Sequence, residues 1–446
     1  MNTTISLRNH ALEIFYAGLH AVKPDVCMQD HIHLTKNMLK IRNRNYDLGK
    51  YRNIFVTGFG KASSSMARRL EELLRERIKT GIVNVPYGYT APCKIIRINE
   101  AGHPIPDNAG IQGAREIVQL LKETQEDDLV ICLISGGGSA LFELPCEGIT
   151  LEELQNVTNL LLKSGARIDE INTVRKHISQ VKGGRLANIS KSEIVSLILS
   201  DVAHDQVETI ASGPTAPDSS TFSDCKRIFI KYGLLQKIPV SIMVRIQKGV
   251  DGKVEETPKA TDKRFDRVSN IIIGNNRMAL NHCHKKAAEL GYHTCTLSSL
   301  IKGEAREIAK VFGAIAREIH QSGNPAKIPA CIIAGGETTV TVKGDGIGGR
   351  NQEFALSAAR EIDGLENTII LSAGTDGRDG NTDAAGAIAD GSTITRAKDV
   401  NMDTETYLNN NDSHTFFKNL HDFINTGPTK TNVMDIMILL VASGTG

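Results

Sequence analysis

The sequence predicts an α/β protein of more than one domain. Three observations carry this. Short apolar runs alternate with helical patterns along the chain. Glycine-rich turns repeatedly separate strand from helix. The length, 446 residues, leaves room for two or three domains.

The elements follow in order. Residues 5–22 read as an amphipathic helix, with Leu7, Leu12, Ile14, Phe15 and Leu19 at helical spacing. NIFVTGFG (53–60) is a strand entering a glycine turn, and KASSSMARRLEELLRER continues as a helix. LVICLISGGGSALF (129–142) repeats that order. INTVRKHISQVKGGRLA reads as one basic helical segment, and SLILSDV (196–202) as a strand ending on Asp201. NIIIGNNRMALNHCHKKAAEL (270–290) is strand, polar turn and helix. ACIIAGGE (330–337), NTIILSAGTDG (367–377) and DIMILLV (435–441) are further strands, and TTVTV after GGE alternates as a strand would. NQEFALSAAR is a helix. The weakest pattern lies at 215–268, which places a domain boundary there and gives domains of 1–245 and 246–446.

Composition excludes several classes. A net charge of +1 gives no reason to expect nucleic acid or an anionic membrane as partner. Forty glycines with no tryptophan disfavour aromatic platforms for bases. The eight cysteines form no Cys-x-x-Cys pair and read as reduced thiols of a cytoplasmic protein. No secretory signal or membrane-spanning apolar run is visible.

Several segments carry chemistry. Lys61 follows Gly58-Phe59-Gly60 at a helix start, where a lysine reaches a phosphate or merely meets solvent; no Gly-Lys-Ser/Thr makes it a Walker A lysine. Ser135-Gly136-Gly137-Gly138-Ser139 has more glycine than a turn needs, which favours close backbone approach to an anion. Asn172, Arg175, Lys176, His177, Lys182 and Arg185 are candidate cleft cations or polar groups, or one solvated basic face. Asp201, delivered by a buried strand, suits a hydroxyl proton or Mg²⁺, and otherwise a helix cap.

The last and most informative loop is GGETTVTVKGDGIGGRNQE (335–353). It sets Glu337 and Arg350 among glycines before a helix, a place where an arginine grips an oxyanion with two hydrogen bonds. AGTDGRDGNTDAAG (373–386) adds Asp376, Asp379 and Asp383 as oxygen ligands without an EF-hand pattern. His103 in AGHPIPD reads as a structural hydrogen-bonder, and His282-Cys283-His284 lacks the spacing of a zinc site.

VTGFGKAS, AGHPIPDNAG, LISGGGSALFELP, INTVRKHISQVKGGRLA, LSDVAHDQVETIASGPTAPD, GGETTVTVKGDGIGGRNQEFAL and AGTDGRDGNTDAAGA occur in that order. Together they resemble the class II glycerate 2-kinases, which carry a C-terminal MOFRL domain named after the motif around GGRNQEFAL. The resemblance spans about residues 50–440. It implies a Rossmann-like three-layer N-terminal domain and a smaller mixed α/β C-terminal domain with the active site in the cleft between them. The N-terminal helix is expected to pack on the second domain. It also implies ATP-dependent phosphorylation of D-glycerate at the 2-hydroxyl with Mg²⁺, with Lys61, Asp201 and Arg350 as catalytic residues. Ser135 to Ser139, Arg175, Lys182, Glu337 and Asp376 are the expected substrate and phosphate contacts, and Asp201 the metal ligand. His204 stands where the family pattern has glycine. Expected partners are the two small substrates, with a homodimer left open.

Two other readings compete. A hydroxypyruvate reductase needs a dinucleotide fingerprint, and the nearest candidate, Gly344 to Gly349, has the wrong spacing. A non-catalytic sugar-acid or phosphate sensor would keep the glycine loops without needing Lys61, Asp201 and Arg350 together.

Overall fold

The computed structural model describes residues 3–443. They form two compact units: residues 27–273, and those up to Val26 together with those from Gly274 on. Among the described residues there are two six-stranded sheets and one three-stranded sheet.

The unit of residues 27–273 is built on a sheet of spatial order Ile96–Ala101, Ile78–Pro86, Ile54–Phe59, Leu129–Ile134, Glu193–Leu199 and Val268–Gly274. The first five strands pair in parallel. All six residues of Ile54–Phe59 and of Leu129–Ile134 are buried, as strands covered on both faces require. Helix Asn108–Lys122 packs Ile111, Ala114, Ile117 and Leu121 into a cluster with Phe55, Ile82, Val130 and Cys132. Numbered along the chain, the first five strands run 3-2-1-4-5, so the order reverses between Ile54–Phe59 and Leu129–Ile134. Ligands of doubly wound sheets bind at the carboxyl ends of strands at such a reversal.

A second cluster in this unit is helical. Leu151–Lys163, Ile168–Ile178, Phe222–Lys231 and Val240–Val250 pack around Phe222 and Phe229. The weakly patterned stretch therefore holds two ordinary helices, and the division between units falls after Ile273, not at 245/246. The reason is packing. Ile242 and Ile246 are fully buried in this cluster, and Val268–Gly274 joins the parallel sheet. The basic segment is not one helix either. It stops at Ile178, and left-handed Gly183 and Gly184 (φ 56° and 80°) precede a short helix, Arg185–Ile189.

The other unit has a mixed sheet of order His293–Ile301, Ala330–Gly336, Asp435–Val441, Thr368–Gly374, Gly386–Asp390 and Phe423–Ile424. Only its first pair is parallel. Helices Ala305–Ser322 and Arg350–Glu361 cover the face carrying Ile332, Met437 and Leu439. The N-terminal helix Thr3–Ala21 lies against helix Asn276–Glu289: a Cβ on Gly18 would overlap Cys283 and touch Ile436. Arg8 of that helix donates to Asp390 (2.8 Å) and Asp422 (2.5 Å).

The TTVTV segment is not a strand. It contributes one isolated bridge, Thr339 to Glu304; Thr339 N–H donates to Gly303 O, and amides of Thr341 and of the loop that follows are taken up by side chains. Thr341 N–H donates to Glu304, Lys343 and Gly344 to Asn411, Asp345 to Asn410, and Ile347 to Asp412. Donors satisfied this way have no need of a ladder.

Candidate active site

In the unit of residues 27–273 the site is assembled at the strand-order reversal. Phe59 and Ile134 are register partners at the ends of their strands, so the loops that follow them lie side by side. Lys61 N–H donates to Gly136 O (2.9 Å), and Ala62 N–H donates to the Ser135 hydroxyl (3.0 Å). Buried Ser135 thus ties the two loops together. Gly137 is left-handed (φ 85°), and a Cβ there would sit 2.9 Å from the His103 ring and 3.6 Å from Lys61 Cγ. His103, read from sequence as a structural hydrogen-bonder, also forms a wall of the same site. The helix that follows is a single turn, Gly138–Leu141, so attraction for an anion rests on the loop amides and Lys61 more than on a helix dipole.

Ser139 pairs through its hydroxyl with Ser212 (2.9 Å), which donates to Asn172 (3.3 Å). The backbone at this point is unusual: His204, Asp205, Ala211 and Ser212 all have positive φ, between 51° and 66°. Such conformations cluster at functional sites. Asp201 is half-buried two residues beyond Glu193–Leu199, at the same sheet edge as the glycine loop.

Lys182 is placed differently from the expectation of a phosphate contact. It is wholly buried, donates to Ser139 O and Phe142 O (2.8 Å each), and lies 3.4 Å from the carboxylate of Glu143. Burial lowers its pKa, and Glu143 opposes this. Its ammonium holds the glycine loop from behind. The neighbouring basic residues are structural in the same way. Lys176 pairs with Asp218 (3.1 Å), and His177 bridges Thr173 O and Glu256. Arg175 lines a cavity with Ser139 and Glu143.

In the other unit Arg350 is the first residue of helix Arg350–Glu361. Its guanidinium forks onto Asp435 (Nε 2.6 Å, Nη2 3.0 Å) and reaches Glu337 through Nη1 (2.9 Å). Asp435 is fully buried, whereas Glu337 is half exposed. Burial works against the charge on Arg350, but Asp435 and Glu337 raise its pKa. Burial pushes the Glu337 carboxyl up, against Arg350, and the charges of Asp435 and Asp376 add to the rise. Glu337, Arg350 and Asp376 thus share one electrostatic neighbourhood.

The three aspartates of the 373–386 loop do not converge on a ligand. Asp379 is buried and caps helix Arg350–Glu361, accepting from Asn351 N–H (3.0 Å) and Gln352 N–H (2.8 Å). Asp383 lies on the surface. Asp435 and Asn351, which bridges Asp435 and Asp379 by donating to both (3.1 and 3.3 Å), were missed in the sequence reading, and Asp379 was read as an oxygen ligand, not as a cap. The available signal was an aspartate opening the apolar strand DIMILLV and an Asn-Gln pair following Arg350. The carboxamide oxygen of Asn276, which faces Gly335, and the Thr338 hydroxyl are buried without a partner in this neighbourhood.

Comparison with known proteins finds two family matches along the chain. Residues 10–247 match a domain of unknown function (DUF4147), and residues 330–435 match the MOFRL family. A glycerate 2-kinase of Pyrococcus horikoshii is 42% identical over 444 residues, 99% of each chain. A D-glycerate 2-kinase of Thermotoga maritima is 42% identical over 98% of this chain and 99% of its own. The crystal structure of a glycerate kinase of Thermotoga maritima superposes with a TM-score of 0.86, covering 98% of this chain and all of that one.

Proposed function

We infer that this chain, which belongs to the glycerate 2-kinase family, transfers the terminal phosphoryl group of ATP to the 2-hydroxyl of D-glycerate, giving 2-phosphoglycerate and ADP. The observation that carries the reading is the pairing of Lys61 with the Ser135–Ser139 loop at the strand-order reversal. Phosphoryl transfer needs little covalent help from a protein. It needs positioned cations and N–H donors around a charged, in-line group.

The proposed roles follow from chemistry. Lys61 and the amides of Gly136 to Gly138 neutralise and orient phosphate oxygens. Asp201 accepts or orients the proton of the 2-hydroxyl. Arg350 supplies a second cation, its fork held by Asp435 and its third face shared with Glu337. Glu337 and Asp376 are acceptors for substrate hydroxyls. Lys182 acts by positioning, since its ammonium fixes the carbonyls of Ser139 and Phe142.

Mg²⁺ fits as a passenger of the nucleotide. Among the described residues no group of three or more His, Cys, Asp or Glu side chains is placed to hold a metal ion. Mg²⁺ bound to ATP ordinarily needs only one or two carboxylates beside the phosphates and water. Asp201 would be the protein ligand, and the ion would supply charge neutralisation on the transferring group. No helix of the described residues is long and apolar enough to cross a membrane. None of the eight cysteines is in a disulfide, which supports a reducing, cytoplasmic setting.

The test is a coupled assay with ATP, Mg²⁺ and D-glycerate, using enolase alone to consume product. Signal without phosphoglycerate mutase is expected. Signal only after adding mutase would assign the 3-hydroxyl, and none in either case would overturn the kinase reading.

A further inference from the structure

A cavity of about 650 Å³ lies beside the glycine loop, within the unit of residues 27–273. Its walls come from Ser139 and Ala140, from the Pro104–Pro106 loop, and from one stripe of helix Leu151–Lys163. That stripe is Gln155, Thr158, Asn159 and Leu162, spaced i, i+3, i+4, i+7. The helix turns Leu154, Val157 and Leu161 into the helical core, so the stripe is its second, cavity-facing side. Gln155 donates to Pro106 O (2.7 Å) and pins the loop to the helix.

We propose that this cavity holds the base and ribose of the phosphoryl donor, a purine nucleoside triphosphate, whose phosphates run toward Lys61 and the Ser135–Ser139 loop. The inference rests on the kinase reading.

Four observations select this occupant. Ile105 and Leu162 are 66% and 57% exposed yet line the same cavity from the loop and the helix. A flat ring would cover both. The Thr158 hydroxyl is buried with no hydrogen-bond partner, and such groups are normally satisfied. Asn156 and Asn159 set two carboxamides in the lining, and an asparagine pairs with two edge atoms of adenine at once. Charge is balanced: of the charged lining residues Glu143, Glu152 and Arg175, Glu143 is paired with buried Lys182 behind the wall, which leaves Arg175 against Glu152. A neutral site suits a nucleoside, not a small carboxylate. The volume lies within the range of about 300–1,000 Å³ typical of small-molecule pockets, far more than a three-carbon acid fills.

The experiment uses the full chain and the exposed positions Leu162→Glu and Asn159→Leu, with Thr158→Val beside them. ADP affinity is measured by calorimetry, the KM values for ATP and D-glycerate by turnover, and inorganic tripolyphosphate serves as a base-free competitor. Leu162→Glu should weaken ADP binding and raise KM for ATP by about tenfold or more, as expected for losing a base contact. KM for D-glycerate and inhibition by tripolyphosphate should stay within about twofold. Asn159→Leu should narrow the preference for ATP over GTP. ADP affinity unchanged in both exposed variants would overturn the proposal, as would a rise in KM for D-glycerate instead of ATP. Those outcomes leave the kinase reading standing, because wild type still turns over. Conversely, wild type that binds ADP through this cavity but makes no 2-phosphoglycerate would defeat the kinase reading and keep the nucleoside site.

Discussion

Arg350 divides one guanidinium between two carboxylates of opposite character. Asp435 is buried and takes the fork; Glu337 is half exposed and takes the remaining nitrogen. Removing the arginine orphans a buried charge, a loss of about 3–5 kcal/mol. Arg350→Ala should therefore lower both turnover and melting temperature. Arg350→Lys keeps the charge but loses the fork, so it should recover more stability than activity. A thermal melt run beside the assay separates the two, and equal recovery would argue against a role in the transfer. Lys61 differs, being half-buried in a loop at the sheet edge. Lys61→Ala should cut kcat by on the order of a hundredfold or more with an unchanged melt; near-normal activity would remove it from the mechanism. His204 tests the backbone. It holds φ 66°, where a non-glycine residue costs about 1 kcal/mol. His204→Gly should raise stability, up to about 1 kcal/mol by denaturant titration, since glycine adopts that conformation without a Cβ penalty.

At the scale of elements, helix Arg350–Glu361 is capped from outside its own sequence. Gly349 precedes it without a side-chain cap, and Asp379 fills the vacancy so closely that a Cβ on Gly349 would overlap it. Burial pushes the Asp379 carboxyl up to about 6, although the amides of Asn351 and Gln352 pull it down. The native state then holds this proton more tightly than the unfolded chain does, between about pH 4 and 6. This group's contribution to stability falls as pH rises through that window. Asp379→Asn has no such proton. Wild type should gain on the variant by roughly 1 kcal/mol between pH 7 and pH 5, read as a widening difference in chemical-denaturation midpoints. A constant difference would mean that Asp379 stays ionised throughout. The sequence exposed the glycines and Arg350 of this element, because glycine turns and apolar periods are local signals. It hid the cap, because Asp379 lies 28 positions from Asn351. The same limit explains TTVTV: its alternation is genuine, but Gly303 and Glu304 take its amides from a distant segment, and Asn410 and Asn411 hold the loop that follows it. The basic segment 171–187 misled through local pattern too, since Lys182 finds its partners in Phe142 and Glu143.

At the scale of the whole molecule, the chain enters one unit, leaves it to build the other, and returns. Alternating strands and helices made the two α/β units legible, whereas the place of the N-terminal helix with the C-terminal half was expected only from the family resemblance and not from any local pattern. That membership rests on long-range pairs. Arg8 meets Asp390 and Asp422 across 382 and 414 positions, and Thr431 donates to Val22 O (2.7 Å). Asp390 and Asp422 are 4% and 5% exposed, so neither carboxylate has water to fall back on. Arg8→Ala should cost about 3 kcal/mol, near the low end for a buried pair because Arg396 remains 2.6 Å from Asp422. The cost also has a pH signature. Burial raises the Asp390 pKa, but Arg8 and the Ser392 contacts outweigh it, and the folded carboxyl sits below its ordinary value. Its stabilisation is present above the unfolded pKa of about 3.9 and is lost as pH falls below it. The penalty of Arg8→Ala should therefore shrink below about pH 4. Hydrogen exchange locates the effect. In the variant, amides of Gly386–Asp390 and of the adjoining strands should exchange faster, while those of Ile54–Phe59 and Leu129–Ile134 keep their protection. Equal loss of protection in both sheets would show that the two units unfold as one, and that the N-terminal helix serves the whole chain instead of the half it packs into.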